Sequence, residues 1–208
     1  MTRHILFDLD CTIYSVRLGL EEKVVERMVQ FLADFLGMSV EEARDTRKNL
    51  KGRYGTTLEW IMAEKGFTDV ELYLRKVHPD DEADSLFPVP GLREFIESLP
   101  CPCSILTNSP RFHADRILNK MELKGVFTRI FDIQDNNFRG KPHASAFQRT
   151  LDALGLKAEN TLFIDDYPSY VRGYIDIGGR GILLDELDNH PNYPYERIKD
   201  LRELTRFL

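Results

Sequence analysis

Residues 4–14 read HILFDLDCTIY. A short apolar run, Ile5-Leu6-Phe7, ends in two aspartates, Asp8 and Asp10, with one leucine between them. A brief continuous apolar run of this kind is the pattern of a strand buried on both faces of a parallel sheet. Residues two apart on a strand point to the same face, so Asp8 and Asp10 converge if the strand runs on. Two like charges at the mouth of an apolar strand repel unless a cation or a shared proton offsets them.

Four further runs carry the same pattern: 103–108 (CSILTN), 129–133 (RIFDI), 161–165 (TLFID) and 180–184 (RGILL). Helical spacing of apolar residues appears between them at 112–122 and 143–154, and again at 194–207, where Ile198, Leu201, Leu204 and Phe207 share a face. Strands alternating with helices predict an open, parallel α/β sheet.

The first connection is different. About seventy residues separate the first strand from the second, far beyond an ordinary strand-to-helix loop. They read as helices. Residues 20–36 place Leu20, Val24, Met28, Phe31, Leu32 and Phe35 on one face. SVEE at 39–42 is a capping box, and TTLE at 56–59 is compatible with another. Gly66 suits a helix C-terminus, a helix is expected over 69–78, and FPVPG at 87–91 punctuates the return to the sheet. The expected organisation is an α/β core from 1–14 and 88–208, with an inserted helical module from 15–87.

Composition narrows the function. The 208 residues are 42% hydrophobic and 30% charged, with a formal net charge of -6. An acidic chain is a poor platform for a nucleic acid polymer or an anionic membrane. The first strand begins at residue 4 with no apolar leader before it, and the three cysteines (Cys11, Cys101, Cys103) have no framework spacing. The expectation is a cytoplasmic protein with reduced thiols, monomer or dimer.

Ligands of open parallel sheets bind at the carboxyl ends of the strands. Four polar features fall there: Asp8 and Asp10, Thr107-Asn108, Lys141, and Asp165-Asp166. Several carboxylates in one cleft call for a hard, oxygen-seeking divalent ion, and Mg2+ suits carboxylates, water and phosphate oxygens together. One carboxylate could then attack phosphorus while a second moves a proton. Thr107 and Asn108 could donate hydrogen bonds to phosphate oxygens, and Lys141 supplies positive charge where the transition state is negative.

These residues resemble the four motifs of the haloacid dehalogenase-like superfamily: FDLDCTIY the first, SILTNS the second, GKP the third and LFIDD the fourth. The resemblance implies a Rossmann-like core with a C1-type helical cap after the first strand. It implies Asp8 as nucleophile and Asp10 as general acid/base, the latter also binding metal through its backbone carbonyl. Asp8 and Asp166 would be side-chain ligands of Mg2+, with Asp165 direct or through water. Thr107 would bind phosphate and Lys141 would neutralise Asp8 and the phosphoryl group. The namesake dehalogenases lack the second aspartate of the first motif, so Asp10 points to phosphate chemistry.

A narrower likeness, to the pyrimidine 5'-nucleotidase branch, rests on YGTTL at 54–58, VH at 77–78 and IFDIQDNNFRGKP at 130–142. It implies a small phosphorylated metabolite as partner, a nucleotide among the candidates. The expected substrate-binding set is Thr107, Asn108, Lys141, Tyr54 and Thr56. A turn followed by an ordinary helix cap is an equal reading of Tyr54 and Thr56. The alternatives are a sugar-phosphate phosphatase or phosphomutase on the same core, or a non-catalytic phosphate-binding member. Arg47, Lys48 and Lys51 read as a solvated helical face, and Trp60 and Phe67 as the module's own core. Two departures stand out: Cys11 where the family commonly has Asn, and Tyr167 and Tyr170 where it commonly has Ser and Asn.

Overall fold

The structure is a computed structural model and describes residues 2–50 and 53–208; Lys51, read above as part of a solvated face, lies outside the described residues. The chain divides into two compact units. One holds the chain up to Leu18 together with Leu86–Leu208, and the other is Gly19–Ser85.

The first unit is built on a parallel sheet. Its strands are β1 (His4–Phe7), β2 (Cys103–Leu106), β3 (Ile130–Phe131), β4 (Thr161–Asp165), β5 (Arg180–Leu184) and β6 (Arg197–Ile198). The order across the sheet is β3-β2-β1-β4-β5-β6, and every neighbouring pair is parallel. Phe7 is paired with Ile105 on one side and Ile164 on the other, so β1 is central. The chain winds outward from β1 through β2 to β3, then returns to β4 and winds the other way. That reversal beside β1 is the switch point at which such sheets bind ligands.

The flanking helices of this unit are α5 (Leu92–Glu97), α6 (Arg111–Lys120), α7 (Ala144–Leu154) and α8 (Pro168–Asp176). Leu6, Leu106, Phe131, Phe147, Leu151, Phe163 and Tyr174 pack as one buried cluster. Phe147, Phe163 and Tyr174 meet with ring centroids 5.2–5.4 Å apart, in the edge-on and tilted geometries that aromatic quadrupoles favour. The third strand is shorter than its apolar run. Asp132 ends it by turning its carboxylate inward, accepting from the backbone N–H of Gln134, Asp135 and Arg111. The bond to Arg111 puts a carboxylate at the first residue of α6, where the helix dipole favours negative charge.

The helix expected over 194–207 does not form. Ile198 is instead in β6, opposite Leu184, and its carbonyl accepts from Asp185 N–H. With that backbone committed to the sheet, a helix can start only afterwards. Asp200 and Glu203 form a reciprocal capping box that opens a 3-10 helix over Leu201–Arg206.

The second unit is helical: α1 (Leu20–Leu36), α2 (Val40–Asn49), α3 (Thr57–Lys65) and α4 (Val70–Val77). The Ser39/Glu42 capping box forms. At the second candidate box only half forms: Thr56 accepts from Glu59 N–H, while the Glu59 carboxylate accepts from Gly55 N–H rather than from the cap. Gly66 ends α3 in the left-handed conformation. Phe31, Phe67 and Tyr73 form the unit's aromatic centre, and Trp60 is buried with its indole N–H donating to Glu64. Arg47 departs from the expected solvated face: its guanidinium donates to the Thr57 hydroxyl from a half-buried position. Among the described residues, no helix is long and apolar enough to cross a membrane.

Candidate active site

β1 stops at Phe7, and the chain does not continue as a strand. Asp8 N–H still donates to Ile164 at 2.8 Å, but Ile13 N–H then reaches back to Leu9 at 2.9 Å, closing a tight turn. Cys11 sits inside that turn with φ 56, the left-handed region that favours Gly and Asn. The turn breaks the two-residue alternation. Asp8 and Asp10, expected to converge on one strand face, have different partners.

Asp8 faces Lys141. The buried ammonium lies 2.6 Å from Asp8 Oδ1 and 2.6 Å from Asp165 Oδ2. Its far side meets aromatic rings, with centroids of Tyr170 and Phe163 at 5.2 and 5.4 Å, within cation–π range. Burial alone would strip the proton from Lys141. The two carboxylates outweigh it and hold the ammonium charged, above its usual range. Burial pushes the Asp8 carboxyl well up, and the neighbouring charges of Asp165 and Asp10 add to this against the pull of Lys141. Asp165 is pushed up to about 6, again mainly by burial and against Lys141.

The lysine is placed by a local lock. Asn108 Nδ2 donates to the Lys141 carbonyl at 2.9 Å, and Lys141 N–H donates to Asn108 Oδ1 at 2.8 Å. Gly140 makes the approach feasible. A Cβ there would collide with the Asn108 amide oxygen and come within 2.7 Å of its Cγ and 2.8 Å of Ile133 Cδ1. The Asn108 amide, expected to face phosphate, thus commits its oxygen and one of its two N–H groups to the lysine backbone. Thr107 is fully buried, and its hydroxyl oxygen accepts from Ser109 N–H at 3.0 Å. That bond leaves the hydroxyl proton for another acceptor.

Asp10 is held by three side chains. Tyr14 and the Nε2 of His113 each lie 2.7 Å from Oδ1, and the Ser109 hydroxyl lies 2.7 Å from Oδ2. Burial works to raise this carboxyl, but the His113 charge and the bonds from His113, Ser109 and Tyr14 pull it well below the usual carboxylate range. The three carboxylates of the site are therefore driven apart in proton affinity, which is how like groups acquire different tasks.

Ligand oxygens of Asp8, Asp165 and Asp166 lie within 4.8 Å of one another. An all-oxygen carboxylate set fits a hard cation such as Mg2+. Asp165 already has both oxygens engaged, Oδ2 by Lys141 and Oδ1 by Tyr167 N–H at 2.8 Å. Asp166 is half-buried beside it.

Within one unit the structure thus gathers Asp8, Asp10, Thr107, Asn108, Lys141, Asp165 and Asp166. Tyr54 and Thr56 belong to the helical unit. There the Tyr54 hydroxyl donates to Glu64, and the Thr56 hydroxyl caps α3. Sequence reasoning missed Tyr14, Ser109, His113 and Gly140. A usable signal existed for two of them. Ser109 directly follows the Thr107-Asn108 pair at the sheet edge, and His113 lies four residues later in the first turn of α6.

Comparison with known proteins agrees with this fold. The family profile described as haloacid dehalogenase-like hydrolase matches residues 2–169. The chain is 29% identical over 87 residues to Enolase-phosphatase E1 of Persephonella marina, a match covering 40% of this chain and 37% of that protein. The chain thus spans well under half of that relative's length. Among solved structures, the magnesium-bound HAD-hydrolase YfnB of Bacillus subtilis superposes with a TM-score of 0.62 at 20% identity, covering 100% of this chain and 98% of that one. L-2-haloacid dehalogenase of Xanthobacter autotrophicus does so with a TM-score of 0.64 at 14% identity, with the same coverage. At these identities the structural likenesses speak for the fold, and the profile match over most of the chain speaks for descent. The chain belongs to the haloacid dehalogenase-like hydrolases.

Proposed function

We propose that the protein is a Mg2+-dependent phosphomonoesterase acting through an aspartyl-phosphate on Asp8. The observation that carries this reading is the division of labour between the two aspartates of the first motif. Asp8 is paired with a buried cation, whereas Asp10 sits on a separate donor network with a partly open side chain. The curated relative that carries the word phosphatase in its name and the magnesium-bound structural relative support the same reading.

In this reading a carboxylate oxygen of Asp8 attacks phosphorus, and the bond from phosphorus to the ester oxygen breaks. The departing oxygen takes a proton from Asp10. Asp10 then takes a proton from water, whose oxygen attacks the acyl phosphate and releases inorganic phosphate and free Asp8. Its donor network keeps Asp10 ionised in the free site, the state the second step requires. A phosphate dianion arriving alongside raises its proton affinity and readies it for the first. Lys141 keeps Asp8 oriented and offsets negative charge on the phosphoryl oxygens. Thr107 has a hydroxyl proton to give to one of those oxygens. Asp8, Asp166 and the Asp10 carbonyl, with Asp165 beside them, would hold Mg2+, which when bound would supply further charge neutralisation. The helical unit Gly19–Ser85 serves as the cap that selects the substrate.

The substrate class proposed is a small phosphorylated metabolite, with pyrimidine nucleoside 5'-monophosphates first. Phosphate release from UMP, CMP and a set of sugar phosphates, with Mg2+ and with chelator, tests both levels. Release from none of them would end the phosphatase reading. Release from sugar phosphates alone would end only the nucleotide one. A 2-haloacid is the substrate of the likeness with the dehalogenase, but Asp10 and its three donors would have no task there; halide release would show otherwise.

A further inference from the structure

His113 is fully buried, yet it points its Nε2 at a carboxylate that is partly open. An ionised carboxylate accepts hydrogen bonds and cannot donate one, so Nε2 carries the proton in this contact. A carboxylate oxygen offers about two lone-pair sites. At Oδ1 both are taken, by Tyr14 and His113; at Oδ2 Ser109 is the one donor among the described residues. The three donors come from the turn after β1, the loop after β2 and the first turn of α6, so together they fix the plane of the carboxylate as well as its position.

We propose that His113 is a positioning residue for proton transfer: with Tyr14 it saturates Oδ1, so that Asp10 gives and takes its proton through Oδ2. This rests on the phosphatase reading above and adds to it which oxygen works and what aims it. In the first step the O–H bond on Oδ2 breaks as the departing ester oxygen gains the proton. In the second, Oδ2 gains a proton as an O–H bond of water breaks. Without His113 one site on Oδ1 opens, and the carboxylate can rotate so that either oxygen faces the reaction.

The test compares two substrates that share a phosphoryl group. An alkyl phosphate needs a proton on its leaving oxygen, whereas p-nitrophenyl phosphate releases a stable anion. Release of the leaving group is followed in a single turnover with Mg2+. His113→Gln can return an N–H near the Nε2 position, and His113→Asn is too short to do so. The expected result for His113→Asn is a single-turnover rate constant at saturation roughly 100-fold lower on the alkyl phosphate, with half-saturation unchanged, the scale of a misplaced reacting group. The loss on p-nitrophenyl phosphate should be at least about tenfold smaller, and His113→Gln should recover most of the alkyl activity. Equal losses on both substrates, or an alkyl rate within about threefold of wild type, would overturn the proposal. If His113→Asn does not fold, Tyr14→Phe answers the same question: it opens one site on Oδ1 and should impair the alkyl substrate selectively, and an equal effect on both counts against the proposal. Asp8→Asn separates the two levels. An inactive Asp8→Asn beside an unaffected His113→Asn removes only the role of His113, while an active Asp8→Asn removes the reading beneath it.

Discussion

Lys141 is the residue on which the site's electrostatics turn. It is fully buried and shares its charge between Asp8 and Asp165. Replacing it with Met leaves two buried carboxylates without their cation, so Lys141→Met should lower stability by about 3 kcal/mol and abolish turnover. Urea unfolding with and without Mg2+ measures the first, and phosphate release the second. Cys11 makes a second residue-level case. At φ 56 a β-branched side chain is strained, so Cys11→Val should cost about 1–2 kcal/mol, whereas Cys11→Asn should fold as well as the parent. Thermal unfolding of both variants checks this. At this scale the sequence was partly legible. Asp8, Lys141 and Asp165 could be read because several motifs each end a strand at the same sheet edge. Tyr14 could not, because a lone Tyr carries no spacing that separates a donor to Asp10 from an ordinary packed side chain; for Ser109 and His113 the spacing after Thr107-Asn108 placed them near the sheet edge without naming Asp10 as their partner.

At the scale of elements, the loop carrying Lys141 and the loop after β2 are locked by Asn108. Gly140→Ala should force the two apart. The expected outcome is a well-folded protein whose kcat falls roughly 100-fold, since a shift near 1 Å in Lys141 suffices for that; circular dichroism and steady-state kinetics together check it. β1 carries a pH-dependent feature at its first residue. His4 is buried, with Nε2 3.0 Å from the Ser104 hydroxyl on β2, and burial lowers its pKa below the ordinary 6.5. The folded state therefore prefers neutral His4. Its contribution is fully present above pH 6.5 and is lost as the pH falls from there through the lowered folded value. Unfolding free energy should drop across that window in the parent and drop less in His4→Asn. Helix ends show which elements sequence can declare. α1 and α2 announce themselves through Gly37, Ser39 and Glu42. α5 and α8 are short, and neither cap residue, Gly91 nor Tyr167, makes a side-chain capping bond. Over 194–207 an apolar spacing that fits a helix was claimed by sheet pairing at Ile198, a tertiary contact that local periodicity does not encode.

At the scale of the molecule, the strand order with β1 between β2 and β4 brings the ends of three strands and the Lys141 loop to one edge. This much was legible because each strand-end polar group falls at the same place in a repeating α/β pattern. The helical unit's role was not legible: Tyr54, Thr56 and Arg47 each bond a partner within that unit, and such local bonds carry no mark of a ligand. Removal of Mg2+ by chelator should abolish turnover reversibly, with activity regained on adding Mg2+, because among the described residues the carboxylate set has Lys141 alone as a buried ammonium paired to it. Asp8 is proposed as the nucleophile that takes up the phosphoryl group. The most direct measurement is rapid acid quench of wild type turning over a phosphate-radiolabelled substrate with Mg2+, followed by peptide mapping of the label. A transient label on Asp8, absent in Asp8→Asn, is the predicted result. A label on another residue, or full Mg2+-dependent turnover by Asp8→Asn, would contradict it.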